Sequence, residues 1–331
     1  MSAYFPTTYS TLSTQALATD VLPDYGVGAV ADCRFYSLGV NDTYVIETVQ
    51  GGTYFLRVYR RGLRSLSDVG YELDVLNHLH RKGVAVARPL PRQDGSLIRE
   101  LPAPEGTRYA VLFTEAVGKE PSYKQDPKGM AFKYGQAVAR MHNALQDFTS
   151  QHVRLSADLD YLIHTPLKNI QPLLSHRADD WTYVQRFADT VRQRIVDLPI
   201  GALERGACHS DLQGFHAHIA PDGTMTFYDF DFCGYGYRAY DLAVFRWSAR
   251  LDDQEDVWWE PYLRGYRGER SVKELDVRAV PLFICGRHVW HMGLHTANAR
   301  SYGYGGLNDA YFDRRMAWLR DLEADYLTEL S

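Results

Sequence analysis

The most informative stretch of the sequence is CHSDLQGFHAHIAPDGTMTFYDFDFCGYGYRAYDLA, residues 208–243. It contains two acidic motifs, one ending at Asp211 and one starting at Asp229, eighteen positions later. Pro-Asp-Gly at residues 221–223 is a turn signal between two short apolar segments, so the pattern predicts a β-hairpin. A hairpin of this kind brings both acidic motifs to its open end.

The residue types at the open end of this hairpin suit one kind of chemistry. Asp211 follows the imidazole of His209, and an aspartate in such a setting can take the proton of a hydroxyl group. The opposing carboxylate of Asp229 suits the binding of Mg²⁺. We therefore predict a phosphoryl-transfer site built on Asp211 and Asp229.

The composition is that of a globular protein with two domains or lobes. The chain has 331 residues, of which 45% are apolar and 23% charged, and its formal net charge is -5. This charge argues against nucleic acid or an anionic membrane as a partner. The four cysteines are widely spaced, no apolar run is long enough to span a membrane, and the first residues lack a signal-peptide pattern. We expect a cytoplasmic protein with reduced thiols.

Strand-like and helical patterns are separated along the chain. Period-two alternation runs from residue 30 to 59 with a turn at residues 50–52, and further strands follow up to residue 113. Beyond Gly118 the apolar residues recur at helical spacing. A β-rich third followed by a helical remainder predicts an α+β fold with two lobes. Helices are expected at 13–22, 67–82, 128–147, 161–174, 181–198, 240–249, 258–266, 275–296 and 311–330.

Arg57 is a charged residue inside the apolar strand segment 54–59. A cation among apolar neighbours needs an anionic partner, because burying an unpaired charge is costly. Glu72 lies in the first half of the next predicted helix and is the expected partner. A surface position for either residue is the alternative.

Three motifs together resemble the aminoglycoside phosphotransferase family, which includes choline-kinase-like, homoserine-kinase-like and stress-response kinases. They are His-x-Asp ending at residue 211, Tyr-Asp-Phe-Asp at 228–231 and Tyr-Asp-Leu-Ala at 240–243. The stretch 287–314 is similar to the homoserine-kinase-like and stress-response branch. The resemblance implies a protein-kinase-like fold. It would comprise a nucleotide-binding lobe at 1–113, a hinge at 114–118 with the ATP cleft near it, and a helical lobe at 119–331 with the catalytic loop and acceptor site.

The resemblance also implies roles for the residues at the centre of the site. Asp211 would accept or orient the proton of the acceptor hydroxyl, and Asp229 would hold Mg²⁺. The family has an asparagine five positions after the base, where it binds a second metal ion, and this chain has His216. Because Mg²⁺ prefers oxygen ligands and imidazole suits transition metals, the second position is expected to be empty, water-filled or occupied by another metal.

Nucleotide binding is implied for a second group of residues. Arg57 stands where the family usually has lysine and would contact the phosphates, with Glu72 fixing it. Arginine keeps the positive charge but presents it in a different geometry. The backbone of Thr114, Glu115 and Ala116 would form hydrogen bonds with the adenine.

The acceptor pocket is expected between the catalytic loop and the C-terminal helices. Arg287, Trp290 and His291 are the residues predicted to line it. Arg287 and His291 are four positions apart and share a helix face, which suits an anionic or carboxylate-bearing acceptor. A polar face satisfied by water is the alternative. The acidic run at 252–256 would suit a polycationic acceptor, although such runs are commonly solvated loops.

These expectations predict an ATP-dependent phosphotransferase, a small-molecule kinase that moves the γ-phosphoryl group to a hydroxyl. The acceptor would be aminoglycoside-like, an amino alcohol, homoserine-like or a sugar. The cofactors would be ATP and Mg²⁺, with Mn²⁺ as an alternative ion, and the partners would be the nucleotide and a small-molecule acceptor. The sequence leaves the acceptor, the choice between ATP and GTP, and the oligomeric state open.

Three alternatives remain beside this prediction. A pseudokinase, or a nucleotide-binding module with weak or no turnover, is favoured by His216 and Arg57 and opposed by the presence of Asp211 and Asp229. A Ser/Thr protein kinase of the stress-response type is disfavoured by the short connection between Asp229 and Asp241. A transition-metal site made by the histidines between 209 and 218 matches no zinc-binding spacing.

Overall fold

The computed structural model describes residues 5–328, which group into two compact units. Of the described residues, the first unit comprises 5–119, Thr149–Arg154 and Ala217–Asp231, and the second comprises Glu120–Phe148, Leu155–His216 and 232–328. The sequence predicts lobes at 1–113 and 119–331, joined by a hinge at 114–118. This division assigns residues 149–154 and 217–231 to the second lobe. In the structure these two pieces pack with the first unit. Residues 1–4 and 329–331, including the predicted helix end at Leu330, lie outside the described residues.

Strands dominate the first third of the chain and helices the remainder, as the sequence patterns predict. Within residues 5–328 the strands are β1 (Val30–Leu38), β2 (Asp42–Thr48), β3 (Thr53–Val58), β4 (Arg99–Ala103), β5 (Gly106–Thr114), β6 (Arg205–Cys208), β7 (Ala217–Ile219), β8 (Met225–Phe227) and β9 (Gly234–Tyr237). The helices are α1 (Thr14–Ala16), α2 (Leu66–Arg81), α3 (Pro127–Ala144), α4 (Thr165–Ile170), α5 (Ala178–Asp197), α6 (Arg238–Leu251), α7 (Glu255–Glu269), α8 (Glu274–Tyr302) and α9 (Asp309–Leu322). Short helical turns extend α1, α4 and α9 at Leu17–Val21, Asp160–His164 and Glu323–Leu327.

The first unit is built on a five-stranded antiparallel sheet with the strand order β1-β2-β3-β5-β4. A tight turn through Gly51 joins β2 to β3, and the amide of Gly51 donates to the carbonyl of Thr48 at 2.9 Å. The φ angle of Gly51 is +84°, in the left-handed region that glycine adopts most easily. The predicted hairpin at this turn is confirmed.

One face of this sheet packs against the N-terminal helical segment. Ser13 caps α1 by accepting from the amide of Ala16 at 3.3 Å, and the turns that follow bury Leu17 and Leu22 against the strands. Each fully buried aliphatic side chain stabilises the fold by roughly 1.5–3 kcal/mol. The strand residues in this core are Tyr44, Ile46, Leu56, Val58, Leu101, Ala110 and Leu112.

Strand alternation sends Arg57 to the other face of the sheet, because its neighbours Leu56 and Val58 both point into the core. Helix α2 begins at a capping box, in which the Ser65 hydroxyl accepts from the Asp68 amide at 3.1 Å while the Asp68 carboxylate accepts from the Ser65 amide at 2.8 Å. This cap fixes the start of a helix whose buried side includes an acidic residue, Glu72.

The predicted hairpin of the opening stretch is present, formed by β7 and β8 in the first unit. Its turn carries Gly223 at a φ of +88°, which again favours glycine. The chain leaving β5 approaches this hairpin closely, since a Cβ atom on Gly118 would lie 2.3 Å from the Ile219 carbonyl oxygen. A side chain at residue 118 would therefore push the hairpin away from β5.

The second unit is mainly helical, with α3 packed on α7 and α6 packed on α8. The α3–α7 crossing brings the two backbones together: a Cβ atom on Gly135 would lie 2.0 Å from the Tyr262 carbonyl oxygen, and one on Gly265 would lie 2.0 Å from that of Phe132. Helix α8 has 29 residues, and its central part is buried on most sides.

The architecture confirms the predicted α+β fold, with a five-stranded antiparallel sheet in the N-terminal part and a helical C-terminal part. Among the helices of residues 5–328, none combines the length and the apolar character that a membrane crossing requires.

Candidate active site

The loop that follows β6 is held by one carboxylate, that of Asp241 at the start of α6. Its Oδ2 accepts from the amide of His209 at 3.0 Å, and its Oδ1 accepts from the amide of Ser210 at 2.7 Å. Ser210 has a φ of +66°, a left-handed conformation that is uncommon for residues other than glycine. Through these two contacts the Asp241 carboxylate braces the backbone of the loop.

A buried histidine supports Asp241 in turn. Burial, followed by the charge of Arg238, lowers the pKa of His142 to about 4, so its imidazole is neutral at neutral pH. Its Nε2 donates to the Asp241 carboxylate at 2.9 Å, which leaves Nδ1 to accept from the Tyr266 hydroxyl at 2.8 Å. Sequence reasoning missed His142, which sits in the apolar pattern of α3 with no local motif around it.

Asp211 is a buried carboxylate with two donors on the same oxygen. The Arg287 guanidinium and the Gln213 amide both donate to Oδ1, the latter at 3.1 Å. Burial raises the pKa of Asp211, but the charges of Arg287 and His216 outweigh it and hold the pKa below its ordinary value. The Asp211 amide donates to His209 Nδ1 at 3.2 Å, so His209 braces the loop.

His216 ends the same loop, and its ring is fixed by the backbone. Its Nδ1 lies 2.6 Å from the Asp211 carbonyl oxygen and 3.5 Å from the Asp211 carboxylate Oδ2. A carbonyl oxygen only accepts, so Nδ1 must carry the proton, and a metal ion would have to bind through Nε2. A nitrogen ligand of this kind suits Mn²⁺ or a later transition metal better than Mg²⁺.

The first unit holds the residues expected to bind nucleotide phosphates. Arg57 Nη1 donates to Glu72 Oε1 at 2.8 Å, so the predicted ion pair is confirmed. Arg57 Nη2 donates to Asp229 Oδ1 at 2.9 Å. The Tyr59 hydroxyl donates to the second Glu72 oxygen at 2.9 Å. Sequence reasoning missed Tyr59, although its place two residues after Arg57 put both on one strand face.

The side chains of this cluster differ in the fraction of their surface that is exposed. The Glu72 side chain is 1% exposed, and burial raises its pKa against the opposing effect of Arg57. The Asp229 side chain is 39% exposed, and its backbone has a φ of +62°, which is uncommon outside glycine. The accessible Asp229 carboxylate offers oxygen ligands of the kind Mg²⁺ prefers, so this residue fits the metal role that the resemblance implies.

Asp231, two positions after Asp229, is held by two arginines that sequence reasoning did not single out. Arg64 binds both carboxylate oxygens of Asp231 at 3.0 Å each, and Arg154 donates to its carbonyl oxygen. Arg154 also donates to the carbonyl of Asp68, in the first turn of α2, at 3.1 Å. The inserted piece 149–154 therefore ties the Asp229 segment to α2 within the first unit.

The predicted hinge follows β5, and its backbone makes specific contacts in the first unit. The amide of Thr114 donates to the Arg88 carbonyl at 2.9 Å. The Ala116 carbonyl lies 2.6 Å from His218 Nδ1, which must be the donor. Glu115 between them is exposed. The adenine-binding role of these three residues stays a prediction.

The residues predicted to line an acceptor pocket are more enclosed than expected. Arg287 is 1% exposed and directs its guanidinium to Asp211, so it has a different partner from the expected acceptor. Trp290 packs edge-on against Phe232 at 4.9 Å between ring centres, and His291 is half-buried beside Trp247. Helix α8 is buried on most sides, so helical spacing alone did not reveal which side faces the loop.

The acidic run at 252–256 belongs to a cavity of about 400 Å³ in the second unit. Arg250 forms ion pairs with Glu255 and Asp325 at its wall. The residues lining the cavity are Arg250, Asp253, Glu255, Asp256, Trp318, Asp321 and Asp325.

The kinase-like phosphotransferases are defined by three features together: an antiparallel sheet unit, a helical unit and the two aspartate motifs. The chain belongs to the phosphotransferase enzyme family, whose sequence profile matches residues 32–275. The family predicted from the motifs is confirmed.

Relatives match over most of the chain. An uncharacterised protein of Deinococcus radiodurans is 36% identical over 323 residues, covering 96% of this chain and 92% of its own. A homoserine kinase of Brucella ovis is 26% identical over 286 residues, covering 82% of this chain and 80% of its own.

Solved structures share the fold. A microcompartment-associated aminopropanol kinase superposes with a TM-score of 0.74 at 21% identity, covering 96% of each chain. An amicoumacin kinase in complex with AMP-PNP and Ca²⁺ superposes with a TM-score of 0.74 at 20% identity, covering 87% of this chain and 88% of its own. At these identities the likeness establishes a common fold.

Proposed function

We propose that this protein is an ATP-dependent small-molecule kinase that transfers the γ-phosphoryl group to a hydroxyl. The proposal rests on Asp211, a buried carboxylate on the loop braced by Asp241, whose Oδ1 is held by Arg287 and Gln213. A carboxylate that stays ionised is able to accept a proton, and general-base catalysis of this kind contributes about 10²–10⁴-fold to a rate. Asp211 would take or orient the proton of the acceptor hydroxyl.

The nucleotide would be bound by the charged cluster of the first unit. Arg57 would contact the phosphates while Glu72 and Tyr59 hold it, and Asp229 would bind Mg²⁺. When bound, Mg²⁺ neutralises phosphate charge during phosphoryl transfer. In the amicoumacin kinase structure the nucleotide is AMP-PNP and the metal is Ca²⁺, which supports ATP and a divalent ion here. The backbone of residues 114–116 would bind the adenine.

The acceptor we propose is a small molecule that carries both a hydroxyl and an amine. One relative and two structural neighbours support this class: a homoserine kinase, an aminopropanol kinase and an amicoumacin kinase. Homoserine and aminopropanol are both amino alcohols. The four cysteines are free in the structure, which supports a cytoplasmic site of action.

A nucleotide-binding protein with little turnover is the second candidate, and one observation favours it. Because Nδ1 of His216 is occupied by the Asp211 carbonyl, a second metal would have to bind a nitrogen rather than an amide oxygen. This would weaken Mg²⁺ at that position without touching Asp229.

The experiment that tests the proposal is a panel of acceptors incubated with ATP and either Mg²⁺ or Mn²⁺. The panel contains homoserine, aminopropanol, choline, an aminoglycoside and a simple sugar, and phosphorylated product is detected by mass spectrometry. We expect product with an amino alcohol and none from Asp211→Ala under the same conditions. ATP binding without product above the Asp211→Ala background, with either metal, would show that the protein is not a kinase for these acceptors.

A further inference from the structure

We propose that Arg287, on α8, is a positioning residue that fixes which oxygen of Asp211 receives the acceptor proton. This inference rests on the proposed kinase function and assigns Arg287 to the base rather than to the acceptor. The two side chains are 76 positions apart in sequence and form a buried ion pair, with 1% of Arg287 and 7% of Asp211 exposed.

The donors around Asp211 are distributed unequally between its two oxygens. Arg287 Nη2 and Gln213 Nε2 both donate to Oδ1. At Oδ2 the His216 Nδ1 lies 3.5 Å away, and its proton is directed to the Asp211 carbonyl at 2.6 Å instead. Oδ1 is thus occupied by two donors, and Oδ2 is the oxygen left to accept a proton from the substrate hydroxyl.

The position of the guanidinium is itself determined by packing. It lies over the rings of Trp247 and Trp290, at 4.9 and 4.4 Å from their centres. A planar guanidinium stacks on aromatic faces, whereas a lysine ammonium is a point charge that does not. Arg287 Nη1 also reaches the Ser210 carbonyl and the Tyr240 hydroxyl at 3.4 Å each. Three elements, α6, α8 and the catalytic loop, therefore fix one charged group behind the base.

The contact between Arg287 and Asp211 should affect the rate of phosphoryl transfer as well as the stability of the fold. Catalytic groups displaced by about 1 Å lose on the order of 10²-fold in rate. Replacing the guanidinium with a smaller cation keeps the charge but frees the carboxylate to rotate. The loss should then fall on the chemical step, seen as a lower kcat, while ATP binding in the first unit stays unchanged.

The test compares Arg287→Lys with the wild type and with Arg270→Lys. Arg270 is a matched control because it is a largely buried arginine of the same unit that pairs with Glu204. The assay uses ATP with homoserine or aminopropanol, whichever reacts faster, and the melting temperature and ATP affinity of each protein are measured. A third variant, Arg287→Ala, is assayed with and without free guanidinium ion.

We expect Arg287→Lys to lower kcat by about 10²-fold with ATP affinity within twofold of the wild type. Guanidinium should restore part of the activity of Arg287→Ala, and Arg270→Lys should keep the wild-type kcat per folded molecule. A change confined to the acceptor KM would assign Arg287 to the acceptor and overturn the inference. A kcat loss that follows only the folded fraction would also overturn it. A wild type with no turnover would refute the kinase function itself and this inference with it.

Discussion

Two arginine–carboxylate pairs, one in each unit, have the same chemistry but opposite orders of exposure. In the first unit Arg57 is 15% exposed and its partner Glu72 is 1% exposed. In the second unit the carboxylate of Asp211 is 7% exposed and its partner Arg287 is 1% exposed. In each pair the more accessible member is the one we expect to meet a substrate, and the enclosed member holds it in place. An ion pair alone therefore does not reveal which of its two residues meets a substrate.

Within the first pair, the largest effect is expected from Arg57, its accessible member. Arg57→Met should lower kcat/KM for ATP by about 10²–10³-fold, because a preorganised cation at the phosphates is lost. Arg57→Lys keeps a positive charge and should remain within about tenfold of the wild type. Steady-state kinetics at varied ATP measures both. If Arg57→Met and Arg57→Lys behave alike, charge at this position does not matter and the assignment of Arg57 fails.

A smaller effect is expected from the enclosed partner. Glu72→Gln should lower kcat/KM for ATP by about tenfold, because Arg57 retains Asp229 as a partner but loses its fixed position. Tyr59→Phe is the matched control, since it removes only one hydrogen bond to Glu72 and should cost about 1 kcal/mol of stability. A loss in Glu72→Gln that equals or exceeds that of Arg57→Met would reverse the proposed order of the pair.

His216 is expected to set the metal preference rather than the rate itself. His216→Asn provides an oxygen ligand in place of a ring nitrogen, so the ratio of the Mg²⁺ rate to the Mn²⁺ rate should rise by several-fold, about 3–10. The measurement is phosphoryl transfer at saturating concentrations of each metal. An unchanged ratio would mean that residue 216 does not face a metal ion during turnover.

His142 supports the Asp211 loop through Asp241, and it should make the stability of the protein depend on pH. The pKa of His142 is lowered to about 4 in the folded protein by burial, with Arg238 the next cause, against 6.5 in the unfolded chain. Between pH 4 and pH 6.5 the imidazole of His142 binds a proton only in the unfolded state. The stability that the neutral, buried His142 contributes is therefore complete above pH 6.5. It is lost as the pH falls towards 4. The loss attributable to His142 is about 3 kcal/mol.

Denaturant unfolding between pH 7 and 4 measures this contribution. His142→Gln should show a shallower decline than the wild type, because it has no proton to take up on unfolding. Equal slopes in His142→Gln and the wild type would contradict the buried, neutral state of His142.

The first pair was predictable from the sequence because its signal is local. Arg57 interrupts an apolar strand, a buried cation needs an anion, and the next helix carries Glu72 fifteen positions later. The hairpin between residues 217 and 227 was equally predictable, since a Pro-Asp-Gly turn separates two strand-like segments. The fold class followed from the separation of strand-like and helical patterns along the chain.

The pair of Arg287 and Asp211 could not be predicted from the sequence, because no local pattern connects the two residues. Arg287 lies 76 positions from Asp211, on a helix that is buried on most sides, so its periodicity does not select a face. Its expected partner was an acceptor, and only the packing of Trp247 and Trp290 shows that it faces the base. The ties from Arg64 and Arg154 to Asp231 were missed for the same reason, because the inserted piece 149–154 has no distinguishing pattern.

The role of Asp211 as the base of an ATP-dependent kinase can be tested by measuring phosphoryl transfer. Transfer of the γ-phosphate from labelled ATP to homoserine or aminopropanol is followed for the wild type and Asp211→Asn, with ATP affinity measured on the same samples. We predict transfer by the wild type, a loss of about 10³-fold or more in Asp211→Asn, and equal ATP affinity. Equal transfer by the two proteins, at equal ATP affinity, would contradict the role of Asp211.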